Sequence, residues 1–486
     1  MNLGTNAIGL AERSYAASPV WLQTLAVSAY GWRARRLRSG PEFERFCRGY
    51  TEREHWSADQ MYAFVNQQLR AQVRRAYEEI PYYRHAFRAA GVTDDFIERV
   101  STDDLATLPL LESSVNRTGP ARLLSRAASH HAPPADFTSG TGGEPAAVYG
   151  DRATRQLGIA AREVRSYRWA GVSGRDSRAT LGFRSVVAAT HHAPPFWRHN
   201  YWDRQTYLSL FHLSVANASD YVNALNRFRP RWITGLPTGL YYLARHIREL
   251  GLDVHSPAAI VTWGERLEPQ MRAELETTFR TRAFEEYGSA ENCALATECE
   301  RGRLHVSPDF GHLEILRPDG RPAAAGEIGE FVVTGFANPH HVFVRLRIGD
   351  VGAWAADACP CGRDTLPTLE RVVGRAGDTL VLPGGRRLAR QAIFRGLPGI
   401  AEGQIVQEAM DRLVMRVETT AAFSDVDRLA IRARVDGLFG PGTHVEIHPV
   451  DRIPRGPNGK YRTVISRIGE TLMGPFVDDD DPATRS

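Results

Sequence analysis

This chain predicts a large α/β domain followed by a small α+β domain, and three observations carry that prediction. From about residue 135 to 350, short β-rich runs at 231–234, 259–262 and 329–334 alternate with helical stretches at 236–250 and 269–279. That order builds a layered sheet with ligand-binding loops beyond its strand ends. After Gly374-Arg375 the texture changes to short strands at 379–382, 412–418 and 444–450 around a helix within 423–439. A length of 486 residues allows two or more separate cores.

Taken in order, the chain opens with an apolar run at 18–32 that Gln23 and Ser28 interrupt and that is shorter than a bilayer span. Arg33, Arg35, Arg36 and Arg38 follow it, the reverse of a signal peptide's charge order. A packing helix with a solvated arginine face is expected there, with a membrane-surface helix as the alternative, and a cytoplasmic location with no integral membrane segment. Between 55 and 100, Met61, Phe64, Val65, Leu69, Val73 and Tyr77 recur at spacings of three and four, which predicts helix. The expected divisions are a helical leader over 1–110, a core over 111–375, a small domain over 376–474 and a disordered acidic tail over 475–486.

Composition narrows the function. Hydrophobic residues at 43% and charged residues at 24% are ordinary for a globular protein. A net charge of +4 without a basic block argues against nucleic acid as a partner. Cys47, Cys293, Cys299, Cys359 and Cys361 are too few and too unevenly spaced for a disulfide framework. Three of them, Cys299, Cys359 and Cys361, together with His305 make a closed donor set of the kind structural zinc prefers. His191, His192, Trp197, His199 and Trp202 have no regular ligand spacing and read as loop and core residues.

Two stretches point to phosphate chemistry. Lys460, in a turn rich in Pro and Gly at 452–462, is the only lysine among 60 basic residues. A compact point charge on a flexible stem is what a site needs to hold a phosphate and a carboxylate oxygen and then release them. The loop Asp136-Phe-Thr-Ser-Gly-Thr-Gly-Gly-Glu-Pro145 can turn successive N–H groups toward an anion, with Thr138, Ser139 and Thr141 adding hydroxyls. It lacks the lysine of an ATPase phosphate loop, which disfavours a phosphotransferase.

Five stretches in order now resemble the adenylate-forming superfamily of acyl-CoA synthetases, luciferases and peptide-synthetase adenylation domains. They are Thr138-Ser-Gly-Thr-Gly-Gly-Glu-Pro145, Tyr287-Gly-Ser-Ala-Glu291, Ile348-Gly-Asp350, Gly374-Arg-Ala-Gly-Asp378 and Pro454-Arg-Gly-Pro-Asn-Gly-Lys460. The segments 80–84, 345–350 and 359–363 are similar to the phenylacetate-CoA ligase branch and its capsular-polysaccharide relatives. The resemblance spans roughly residues 55 to 470. It implies an adenylate-forming large domain with a C-terminal lid, using ATP and Mg²⁺ to adenylate a small carboxylic acid, aryl or otherwise planar, before transfer to CoA or to an amine, hydroxyl or carrier-protein thiol.

By the same resemblance, Thr138, Ser139, Gly140, Thr141, Gly142 and Gly143 hold the β- and γ-phosphates and Glu291 holds Mg²⁺. Asp350 takes the ribose hydroxyls with Arg375 beside it, and Gly264, Glu265, Tyr287, Gly288 and Ser289 line the nucleotide. Lys460 bridges the α-phosphate and the substrate carboxylate, and Asp378 marks the hinge about which the lid turns. Three departures stand out. Ala290 replaces a hydroxyl residue, leaving Ser289 to compensate; Glu144 replaces a lysine; Gly377 replaces the first acid at the hinge. The first two make a non-catalytic nucleotide-binding relative the rival expectation.

Overall fold

The computed structural model describes residues 14–129, 135–137, 147–182, 184, 186–188, 191–375, 380–383, 387–388, 392–394, 397, 399–420, 422–453, 464–468 and 476–477. Its centre is one mixed sheet of two halves. In the first, the strands Gln205–Ser209, Arg178–Gly182, Trp232–Gly235, Ala259–Trp263 and Ala283–Gly288 run parallel, and Trp197–Asn200 closes the edge antiparallel. In the second, Leu295–Glu298, Leu304–Val306, Thr368–Arg375, Leu346–Trp354, Gly329–Gly335 and Gly311–Leu316 continue antiparallel. The strand Ala283–Gly288 is the seam, parallel to one neighbour and antiparallel to the other.

Each half has its own core. The helices Ala218–Phe228, Pro237–Glu249 and Pro269–Phe279 lay Tyr221, Leu240, Leu243 and Leu275 against Leu181, Ile233 and Ile260 of the parallel strands. Strands buried on both faces need continuous apolar runs, which is why Ala259-Ile-Val reads that way. The antiparallel half is covered by Ala58–Glu79 and Pro81–Ala89, whose Leu69, Val73, Tyr83 and Phe87 pack on Phe331, Val333 and Phe343. Ser57 starts the first of these helices, accepting from Gln60 N–H at 3.3 Å while Gln60 returns the bond to Ser57 N–H at 2.9 Å. Ile80 ends it, held extended because Pro81 follows.

In the small domain the strands His444–Val450, Arg412–Thr419, Ile400–Ala409 and Val464–Ser466 form a four-stranded sheet. The helix Asp425–Phe439 buries Ile431 and Val435 against Ile405, Leu413 and Met415. Phe476–Val477 pairs with Arg387–Leu388 in a separate three-stranded sheet. The acidic run beyond it lies outside the described residues.

The first helix, Val20–Arg38, departs from the expected packing helix. It does rest on the body, but through Gln23, Ser28, Gly31 and Ala34. Trp21, Leu22, Leu25, Tyr30 and Trp32 face outward. Small and polar residues take the inner face because the backbone comes close: a Cβ at Gly31 would lie 2.0 Å from the Asn200 amide nitrogen.

Candidate active site

The end of the seam strand carries the first functional side chain. The Tyr287 hydroxyl donates to Asp350 Oδ2 at 2.7 Å, and Arg375 Nε lies 3.1 Å from Asp350 Oδ1. Pairing of Leu346–Trp354 with Thr368–Arg375 sets Asp350 directly across from Arg375, so register alone brings the acid and the guanidinium together. Gly349 (φ +79°) makes the kink that the Ile348-Gly349-Asp350 motif requires, and Arg375 also donates to Ile348 O beneath it. Burial lifts the Tyr287 phenol well above its ordinary value, so it stays a donor.

Glu291 follows one turn later. Burial pushes its carboxyl up and Asp350 adds to the shift, while Arg375 and Arg117 oppose it. A half-buried acid under this tension gains from a hard cation, and one carboxylate with phosphate oxygens suits Mg²⁺. Ser289 Oγ accepts from Cys293 N–H at 3.3 Å, which leaves its own proton to donate where Ala290 has none. Gly264 (φ +79°) lies beyond the strand Ala259–Trp263, at the carboxyl ends of the parallel strands. Glu265 is committed to the fold, accepting from Thr238 N–H at 3.1 Å in the first turn of the helix Pro237–Glu249.

Thr138, Ser139, Gly140, Thr141, Gly142, Gly143, Glu144, Gly377, Asp378 and Lys460 lie outside the described residues. The structure thus brings together Tyr287, Glu291, Asp350 and Arg375 and leaves the phosphate loop and the lysine as expectations.

Arg162 is a contributor that sequence reasoning missed. It bonds Glu286 Oε1 at 2.9 Å and lies so near Gly288 that a Cβ there would meet its guanidinium at 3.0 Å. With Asp151, Thr154, Arg155 and Asn292 it lines a cleft of about 110 Å³ next to Glu291. Nothing local marks it, because the pairing spans 124 residues.

The aromatic and histidine segment is structural in part. His199 stacks on Phe228 at 4.1 Å and bonds Thr206 at 2.9 Å, and Trp197 meets the same phenylalanine edge-on. Trp202, expected in loop or core, is 57% exposed.

A second centre lies at the other end of the strand that delivers Arg375. Cys299, His305, Cys359 and Cys361 place their donor atoms within 4.8 Å of one another. Cys299 Sγ is 3.7 Å from Cys359 Sγ, and Cys361 Sγ is 3.3 Å from His305 Nε2. Four ligands at tetrahedral zinc distances would be separated by about 3.5–3.8 Å, so the set fits such an ion. His305 Nδ1 lies 2.7 Å from Leu366 O, the outer bond that fixes a ligating imidazole's tautomer and turns Nε2 to the thiols. Burial holds His305 below its ordinary range, hence neutral, and pushes Cys359 up to about 12. Cys361 lies below its ordinary value, its burial outweighed by the neighbouring Arg363. Among the described residues this is the one such cluster; Cys47 and Cys293 are buried elsewhere.

Comparison with known proteins fits this geometry. Residues 388–467 match the family model described as the CapK C-terminal domain. Protein CapK of Staphylococcus aureus is 25% identical over 307 residues, 61% of this chain and 66% of CapK, just under two thirds of that relative. A phenylacetate-coenzyme A ligase of Thermus thermophilus is 23% identical over 460 residues, 85% of this chain and 98% of the ligase. Among solved structures, 2-hydroxyisobutyryl-CoA ligase in the postadenylation state in complex with R3-HIB-AMP superposes with a TM-score of 0.65 at 21% identity, covering 85% of this chain and 91% of that one. The same ligase in its thioesterification state scores 0.54 and in an open conformation 0.52.

The fold is therefore that of the adenylate-forming ligases, with a small C-terminal sheet domain. In sequence its homologues are CapK and the phenylacetate-CoA ligases.

Proposed function

We propose that this chain converts a small carboxylic acid, aryl or otherwise planar, to an acyl-adenylate with ATP and then passes the acyl group to CoA. The observation that carries the reading is Asp350, held between Tyr287 and Arg375 with Glu291 beside it. A carboxylate steadied by one donor on each oxygen keeps a further lone pair on each to accept a ribose hydroxyl. The aryl preference rests on the phenylacetate-CoA ligase homologues.

In the first half, a carboxylate oxygen of the acid attacks the α-phosphorus, the bond to pyrophosphate breaks, and acyl-AMP remains. Mg²⁺ held at Glu291 would neutralise charge on the leaving pyrophosphate, and Lys460 would hold the α-phosphate and the attacking carboxylate. In the second half the CoA thiol, losing its proton, attacks the acyl carbon and expels AMP. A zinc ion at Cys299, His305, Cys359 and Cys361 would be structural, with four protein ligands leaving no position for water.

Ala290, exposed at the site and unable to donate, favours one rival: a relative that binds nucleotide without turning it over. Both readings meet the same test, nucleotide products from a panel of aryl and short acyl carboxylates with and without CoA. AMP and pyrophosphate that depend on the acid, with thioester formed on adding CoA, support the proposal. AMP formation that needs an amine, hydroxyl or carrier-protein thiol instead moves the acceptor. ATP binding with no pyrophosphate from any acid supports the rival.

A further inference from the structure

The helix Val20–Arg38 turns most of its apolar residues away from the protein. Its inner face is Gln23, Ser28, Gly31 and Ala34, with the half-buried Val27 packed on Val186, Val187 and Tyr207; Arg198 Nε donates to Gln23 Oε1 at 2.7 Å, and Ser28 Oγ accepts from Tyr201 N–H at 3.2 Å. Trp21, Leu22, Leu25, Tyr30 and Trp32 are 64, 42, 55, 54 and 41% exposed. At 100° per residue these five spread across the outward half of the helix, with Arg33 and Arg36 interleaved among them. The adjoining turn extends it. Tyr201 and Trp202 are 61 and 57% exposed, and Arg35 Nη1 donates to Trp202 O at 2.9 Å.

Charge decides what covers this face. Arg33, Arg35, Arg36 and Arg38 gather at the helix's C-terminal end, and the helix contains no acid. Among the described residues none of the four is in an ion pair with a carboxylate, while Arg36 lies over the Trp32 ring at 3.9 Å. Trp and Tyr rings beside unpaired arginines match a lipid headgroup layer, with indoles at the apolar boundary and guanidinium groups on phosphates. A second copy docked helix to helix would offer those arginines no acid from its own helix.

We propose that this face docks the protein on an anionic membrane surface, the helix lying in the plane of the headgroups. It does not cross the bilayer: among the described residues no helix is long and apolar enough. The proposal stands independently of the adenylation reading.

The test is co-sedimentation of the full chain with vesicles of phosphatidylcholine alone, or with about a third phosphatidylglycerol, at low and high salt. The wild type is expected to pellet with the anionic vesicles, much less with the neutral ones, and less as salt rises. Trp21→Ser with Trp32→Ser, and separately the four arginines changed to Gln, should each lower partitioning by about tenfold or more. Both variants should keep the wild-type unfolding midpoint. Quenching of wild-type tryptophan fluorescence by bromine-labelled lipid needs no variant and should also occur. The proposal is overturned if the wild type stays in the supernatant with anionic vesicles, or if either variant partitions as the wild type does. It is equally overturned if light scattering finds a dimer that the tryptophan changes dissociate while vesicle binding is absent, in which case the face belongs to a second copy.

Discussion

Tyr287 and Glu291 sit four residues apart, and burial favours the protonated form of both. Desolvation keeps the Tyr287 phenol protonated, and it spends that proton on Asp350 at 2.7 Å. Removing the hydroxyl in Tyr287→Phe deletes a hydrogen bond to a charged group, worth about 1.5–3 kcal/mol. If Asp350 is the ribose acceptor, that change should raise KM for ATP by about tenfold and leave kcat nearly unchanged, because the bond orients nucleotide before and during reaction alike. An unchanged KM would remove Asp350 from the nucleotide site. Glu291 is pushed the same way, toward holding a proton. If Glu291 holds Mg²⁺, proton and metal compete for it, so a raised carboxyl predicts that apparent Mg²⁺ affinity strengthens as pH climbs above the ordinary carboxylate range. In Glu291→Gln that pH dependence should flatten and turnover should fall by about a hundredfold. Titrating Mg²⁺ against pyrophosphate release at several pH values reads both. These roles were legible in sequence only through the order of five short motifs. Arg162 and Arg117 were not, since each acts on the site from a helix more than a hundred residues upstream.

At the scale of elements, one strand links the two centres. Thr368–Arg375 begins beside His305, to which Thr368 is paired, and ends on Arg375 at the acid. Eight residues of strand span about 25 Å, too far for the cysteine cluster to touch substrate, so its effect must be to fix the strand's start. Cys359→Ser should therefore lower bound zinc from about one per chain to well under one half and lower the unfolding midpoint by several degrees. KM for ATP should rise only a few-fold. Metal analysis with thermal unfolding checks this, and a wild type that purifies without zinc would end the assignment. The cysteines were readable because ligand chemistry is written in residue type. The helix Val20–Arg38 was readable as one packed on the body or lying on a membrane surface, but nothing in its run says that Gly31 must meet Asn200 and so turn the tryptophans outward.

For the whole molecule the question is how two domains share one reaction. The alternation of strands and helices and the change of texture near residue 375 made both domains legible in the sequence. The sheet's seam was not, because whether Ala283–Gly288 pairs parallel or antiparallel depends on its neighbours rather than on its own residues. A chain built to alternate would keep its adenylating lysine on the moving part and leave the nucleotide acid on the fixed part, and Lys460 and Asp350 fall on either side of the expected hinge. The two half-reactions should then separate by mutation. Lys460→Ala should slow acyl-AMP formation by about a hundredfold or more. Given synthetic acyl-AMP and CoA, the same variant should still form thioester at close to the wild-type rate if the lysine leaves the site between the two halves. Equal loss in both halves would mean that Lys460 stays at the site throughout and that the small domain does not turn between them.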